Sequence, residues 1–232
     1  MFKNLVIAIV ISLPLVSVAQ GKIAKPAEDN TSISLYKKMF ANALALEDNA
    51  TALQACHLIV AQQGNNSAYK DTMAMLYYSL GSYKQTLLLT QGLLQQQPNN
   101  TTLLGITADS YNKLGAVKEA IANQEKLYQL QPNAVNGFGL LEMQMSLQRN
   151  AEGLATATAV LNNKIDSNLV YYYKDTTGKQ QQTPLKAAIY NYMATAYYKQ
   201  GNKAKAKEML NAALQVDDKF LIAKLNKEAI KE

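Results

Sequence analysis

The 232-residue chain holds one cysteine, one histidine and five prolines, and each scarcity closes a route. A single thiol cannot form an intramolecular disulfide, so the fold does not depend on one. Cys56 sits among apolar neighbours at helical spacing and reads as a buried small side chain rather than a reactive thiol. His57 follows it directly, but adjacent helix positions diverge by about 100°, which makes a poor nucleophile–base pair. Metal-ligand spacings such as HExxH or CxxC are missing, as are GxGxxG and GxSxG. Gly178-Lys179 lacks the upstream glycine of a phosphate loop. Carboxylate pairs such as Glu47-Asp48 read as turns between helices. On these grounds no catalytic residue, metal or cofactor is expected. Charge is also sparse. The formal net charge is +6, or +5 without Lys3, and the lysines form no clustered stripe, so nucleic-acid binding is not expected.

What is present begins with an apolar N-terminus. Lys3 precedes a nearly unbroken apolar stretch from Leu5 to Val18, and Ser17-Val18-Ala19 supplies small residues where a signal peptidase cuts. The stretch falls short of the ~20 residues a membrane span needs, and Pro14 disfavours a stable spanning helix. Residues 1–19 are therefore expected to be a bacterial-style signal peptide. The mature protein would be exported and periplasmic, with secretion or an uncleaved membrane anchor as alternatives. No cysteine near the cut offers a lipid attachment site. Residues 20–34 are polar, with Gly21, Pro26 and Asn30, and read as a flexible linker.

The rest of the chain repeats. Pro98 and Pro132 lie 34 residues apart, as do Gly81 and Gly115, Tyr77 and Tyr111, and the steps of Ala52, Thr86 and Ala120. Several ladders with one period signal a repeat architecture. Within a unit the apolar spacing is helical: Leu104, Ala108 and Tyr111 recur at i, i+4 and i+7, and Ala120 and Leu127 continue beyond Gly115. Gly115 suits the end of the first helix because it takes a positive φ at little steric cost. The other four prolines, Pro26, Pro98, Pro132 and Pro184, fall between periodic segments and leave the helices uninterrupted.

These residues resemble the tetratricopeptide repeat family, whose units are helix–turn–helix with aromatic, small and glycine positions at fixed intervals. The last unit matches best, with Tyr190, Met193, Ala194 and Tyr197, then Gly201, then Ala206, Leu210 and Ala213. The second gives Met73, Ala74, Tyr77, Gly81, Thr86, Leu93 and Pro98. The first, with Tyr36, Phe40, Ala52, Cys56 and Ile59, lacks the turn glycine. The fourth has Phe138, Leu141 and Met145, and its turn reads one residue shorter, which puts Gly153 in the small-residue slot. The resemblance implies an all-α, right-handed superhelical solenoid of about five antiparallel helix pairs. The units fall at about 35–66, 67–100, 101–134, 135–167 and 187–220. Ala74, Ala108 and Ala194 would face Thr86, Ala120 and Ala206 where helices cross closely.

Two segments depart from the period. An insertion of about 19 residues occupies roughly 162–184, where Val170-Tyr171-Tyr172-Tyr173 favours strand and Asp175-Thr176-Thr177-Gly178 favours a turn. A β-hairpin or an ordered loop is expected. Tyr171 and Tyr173 share one face, and the tyrosines either pack on neighbouring helices or meet a partner. At about 219–231, Phe220, Leu221, Ile222, Leu225 and Ile230 oppose four lysines, which reads as a capping helix with Asp217 or Asp218 as N-cap. A membrane-surface helix is the alternative.

Functionally, the resemblance implies a non-enzymatic scaffold that binds a protein or peptide partner along the inner surface of its first helices. Carried over position by position, that groove comprises Lys37, Asp71, Met75, Tyr78, Asp109, Asn112, Lys113, Met143, Asn191, Thr195, Tyr198 and Lys199. The basic clamp that some members use for a C-terminal carboxylate is not reproduced: Lys37 pairs with Ala41, and Gly105 with Asp109. The competing expectations are a self-associating or wall-associated structural module, and a hydrolase or transferase with an unrecognised site, for which loss of activity in His57→Ala would be the sign. Membrane contact is not expected once the leader is gone.

Overall fold

The computed structural model describes residues 30–64 and 67–230, so the expected leader and residues 20–29 of the linker lie outside the described residues. The chain forms helix pairs in strict succession. These are α1 (Asn30–Ala45) with α2 (Asn49–Gln63), α3 (Tyr69–Ser79) with α4 (Tyr83–Gln96), and α5 (Thr101–Lys113) with α6 (Val117–Leu130). Then come α7 (Ala134–Ser146) with α8 (Asn150–Asn162), and α9 (Leu185–Lys199) with α10 (Lys203–Val216). A last helix, α11 (Leu221–Ala229), follows alone. Each helix packs on its partner, and the second helix of each pair packs on the helix that follows it, so the buried core continues from one pair to the next. A two-stranded hairpin, β1 (Val170–Lys174) with β2 (Gln180–Pro184), interrupts the otherwise all-α order.

One turn geometry closes every pair. Glu47, Gly81, Gly115, Gln148 and Gly201 all take positive φ, between 55° and 78°. The amide that follows each donates back to a carbonyl five residues earlier, from Asp48 to Ala43, Ser82 to Tyr77, Ala116 to Tyr111, Arg149 to Gln144 and Asn202 to Tyr197, at 2.8–2.9 Å. This arrangement satisfies carbonyls that a helix end leaves without partners. Units one and four reach it without glycine. Short polar N-caps then restart the chain: the side chains of Asp48, Asn100, Asn133 and Asn202 accept from the amides of Thr51, Leu103, Asn136 and Lys205.

The expected short turn in the fourth unit is corrected. Both N-cap-to-turn intervals, Asn100 to Gly115 and Asn133 to Gln148, contain the same number of residues. The missing residue lies ahead of α7, where Asn133 follows Pro132 directly while Pro98-Asn99-Asn100 has one residue more. Every position of α7 is thus displaced by one from a strict period of 34. Gly153 still falls in the small-residue slot. A Cβ there would lie 3.0 Å from Met145 Sδ and 3.3 Å from Leu141 Cδ1. The other crossings carry Ala74 with Thr86, Ala108 with Ala120 and Ala194 with Ala206, all at 2% exposure or less. Leu141 stands where those units have alanine, and glycine opposite it makes the room.

Two further expectations change at the ends. The linker does not extend to Ser34, because residues 30–34 already belong to α1. Gln62 donates to Ser32 Oγ at 2.6 Å, and the polar residues that read as linker are those a helix start favours. Nor do Asp217 or Asp218 cap α11, whose N-cap is Phe220 without a side-chain bond. Asp217 instead accepts from the Lys219 amide at 3.0 Å and, through its other oxygen, from Thr183 Oγ1 of the hairpin at 2.6 Å.

The hairpin is a clasp between first helices. Its strands pair Tyr171 with Thr183 and Tyr173 with Gln181. Tyr171 and Tyr173 turn inward while Tyr172 is 57% exposed. The Tyr171 ring meets Phe138 of α7 and Tyr192 of α9, and the Tyr173 ring meets Phe220 with centroids 5.3 Å apart. Asp175 holds the turn by accepting from the amides of Thr177 and Lys179 and the side chains of Thr177 and Gln181, which keeps its carboxyl down at about 2.

Candidate functional site: the first-helix groove

The odd-numbered helices line the inner side of the array. Among them α3 touches α5 and α7 touches α9, and no pair of even-numbered helices makes contact to the same extent. Their free faces meet in two adjoining cavities. One, of about 520 Å³, opens between α5 and α7, lined by Gly105, Asp109 and Asn112 on one side and Gly139, Glu142 and Ser146 on the other. The second, of about 450 Å³, opens between α7, α9 and α11, with Met145, Tyr171, Ala188, Phe220 and Ile222 as its apolar part and Asn191, Thr195, Lys199 and Asn226 as its polar part. Glu142, Ser146 and Tyr192 belong to both cavities and form the join.

Glu142 is the centre of this join. The Tyr192 hydroxyl donates to its Oε1 at 2.9 Å and lies 3.5 Å from the Tyr171 hydroxyl. Burial raises the Glu142 carboxyl above the ordinary carboxylate range, opposed by the Tyr192 hydrogen bond and the charge of Lys113. Burial, and then the charge of Glu142, raises Tyr192 strongly, so the phenol stays a donor at neutral pH. Across α5, Tyr78 donates to Asp109 Oδ2 at 2.8 Å, and burial with the Asp109 carboxylate pushes this phenol up to about 12.

Of the residues the sequence places in the groove, Asp109 and Asn112 line the larger cavity, and Asn191, Thr195 and Lys199 line the second. Asn191 is buried and accepts from Asn226 of α11 at 2.9 Å, so the last helix covers it. Tyr198, 48% exposed, borders a smaller apolar cavity of about 330 Å³ with Leu210, Ala229 and Ile230. Tyr78 reaches the larger cavity only through Asp109. Met75, Lys37 and Lys113 are exposed outside these cavities. Asp71 turns to a separate cleft between α3 and α4, where Gln97 donates to it at 3.0 Å. Met143 lines the larger cavity from below. It is buried with Ala108, Ala120, Ile121 and Leu140, and contributes only to the floor of the larger cavity. The one-residue shift ahead of α7 makes Glu142, not Met143, the counterpart of Asp109. Sequence reasoning missed Glu142, Tyr192 and Asn226, and the shortened Pro132-Asn133 junction was the available signal for the first.

The candidates for chemistry lie elsewhere and do not converge. His57 Nε2 and the Tyr77 hydroxyl are 2.7 Å apart on the exposed face between α2 and α3. Gln91 and Tyr111 make the same contact one repeat later at 2.9 Å, which marks it as part of the packing pattern. Cys56 is buried, and burial pushes its thiol up to about 11, which leaves it protonated and weakly nucleophilic at neutral pH. Among the described residues, no group of three or more His, Cys, Asp or Glu side chains could hold a metal ion, and no helix is long and apolar enough to cross a membrane.

No family model matches the chain, and no curated protein matches it in sequence. Solved structures do match in fold. YrrB, described as a TPR protein with an unusual peptide-binding site, superposes with a TM-score of 0.67 at 16% identity, over 87% of this chain and 100% of its own. MamA from Desulfovibrio magneticus RS-1, residues 41 to the end, gives 0.62 at 12% identity, over 84% of this chain and 99% of its own. A second MamA structure gives 0.64 at 12% identity, over 82% and 94%. The fold is a tetratricopeptide-repeat solenoid. Within that solenoid the two joined cavities occupy the inner surface of the third, fourth and fifth units, and the hairpin and α11 close their C-terminal end.

Proposed function

We propose that this tetratricopeptide-repeat chain is a non-enzymatic scaffold or adaptor that holds a protein or peptide segment in the first-helix groove, in the bacterial cell envelope. The observation that carries the reading is the pair of joined cavities, built from three consecutive first helices and offering buried polar groups beside an apolar floor. A concave channel running across successive repeats suits an extended segment better than a compact small molecule. The peptide-binding site named for YrrB, a protein of like fold, supports the same use of the surface. The envelope setting rests on the reading of residues 1–19 as an export signal.

Photo-crosslinking in intact cells tests both parts. A photoreactive residue in place of Ser146, at the join of the cavities, should yield a discrete adduct in the envelope fraction. The same residue in place of Ala122, exposed on the second helix α6, should not. Equal adducts from both positions, or none from Ser146, would remove the groove from the account.

A further inference from the structure

The larger cavity has a specific chemistry. Two carboxylates, Asp109 and Glu142, line it and no basic residue does, although the charge of Lys113, outside the lining, acts on Glu142. The cavity's room comes in part from Gly105, where a Cβ would meet only Leu127, at 3.6 Å, whereas the space beside Gly139 is taken by Gln124, whose Nε2 would lie 3.0 Å from a Cβ there. Asp109 already accepts from Tyr78, and Glu142 from Tyr192, through one oxygen each. A carboxylate has capacity for several donors, so both retain lone pairs for a ligand. The upward shift of Glu142 marks a carboxylate whose charge is poorly solvated where it stands. The neighbouring cavity differs, with an apolar part made by Met145, Tyr171, Phe220 and Ile222.

We propose that the cavity between α5 and α7 receives the basic side chain, lysine or arginine, of a bound peptide, while the cavity between α7, α9 and α11 takes an apolar side chain of the same segment. This rests on the reading of the groove as a peptide surface. The occupant supplies hydrogen-bond donors and positive charge to Asp109 and Glu142, and the space left at Gly105 admits its stem. Charge-assisted bonds to a half-buried carboxylate are stronger than neutral ones. The whole chain is net positive, so general electrostatics works against a basic ligand, and any preference for one originates in this cavity.

Four fluorescein-labelled peptides of equal length in one Gly-Ser frame serve as probes, carrying Leu with Arg, Leu with Gln, Leu with Glu, or Ser with Arg. Fluorescence anisotropy at fixed ionic strength should show the Leu/Arg probe binding about tenfold tighter than either Leu/Gln or Leu/Glu. Glu142→Gln and Asp109→Asn, both nearly isosteric, should each erase most of that preference by weakening the Leu/Arg probe toward the Leu/Gln probe. Gly105→Leu, which fills the cavity without changing charge, should do the same, with circular dichroism confirming the fold. Binding of the Leu/Gln or Leu/Glu probe as tight as that of Leu/Arg would overturn the inference and leave the peptide groove standing. Failure of all four probes to bind would count against the groove itself and take the inference with it.

Discussion

At the scale of residues, Glu142 separates what helps the fold from what serves a ligand. Its carboxyl is raised by burial, so between the ordinary glutamate range and the raised native value the folded chain holds more protons at this site than the unfolded chain does. Stability therefore falls as pH rises through that window, because the native state must bear a charge it solvates poorly. Glu142→Gln carries no such charge. The variant should gain on wild type by ~1–3 °C in thermal midpoint as pH rises from about 4 to about 7. A midpoint difference that stays constant over this range would show that the carboxyl titrates normally. A half-buried carboxylate that lines a cavity is placed for something other than packing.

At the scale of elements, the α7–α8 pair shows what a sequence reveals and what it hides. The helices, turns and small-residue slots were legible because each has a local cause: apolar residues at helical spacing, positive φ at the turn, and no room at the crossing. Glu47 and Gln148 were harder, since they adopt the turn conformation without being glycine. The groove was legible only in part. A period of 34 leads to Asp109 and Asn112 on the wall of the larger cavity, but after Pro132 one residue is lost and it selects Met143, buried at the cavity floor, instead of its neighbour Glu142, the counterpart of Asp109. Asp217 misled for another reason: its partner, Thr183, lies 34 residues away on an element outside the repeat. The crossing itself can be tested. Gly153→Ala gains ~1 kcal/mol of helix propensity but overpacks against Leu141 at a cost of ~1–3 kcal/mol, for a net loss of up to ~2 kcal/mol. In a Leu141→Ala background only Met145 remains in the way, and its flexible side chain can move into the vacated space, so the same substitution should stabilise. Urea unfolding of the four-variant cycle measures the sign reversal. Equal effects of Gly153→Ala in both backgrounds would refute the pairing of Leu141 with Gly153.

At the scale of the whole molecule, stability in a solenoid is the sum of neighbouring interfaces, so damage at one end should remain near that end. Phe220 is 1% exposed under the hairpin, Ala223 is fully buried, and Asn226 covers Asn191. Deleting the chain from Lys219 onward removes this cover. The cost is ~1.5–3 kcal/mol for Phe220 alone, and Tyr173 loses one of its two ring partners, keeping Tyr171. Hydrogen exchange should then quicken in β1, β2, α9 and α10, while α1 to α4 keep the protection they have in the full chain. Uniform quickening would instead show that the array unfolds as one cooperative body. The same truncation divides the groove: the cavity that includes Phe220, Ile222 and Asn226 is dismantled, whereas the one between α5 and α7 keeps all its walls. The truncated chain should therefore lose its preference for leucine over serine in a basic peptide and retain its preference for arginine over glutamine. The clasp and the last helix thus complete one half of the binding surface, and the repeat alone supplies the other.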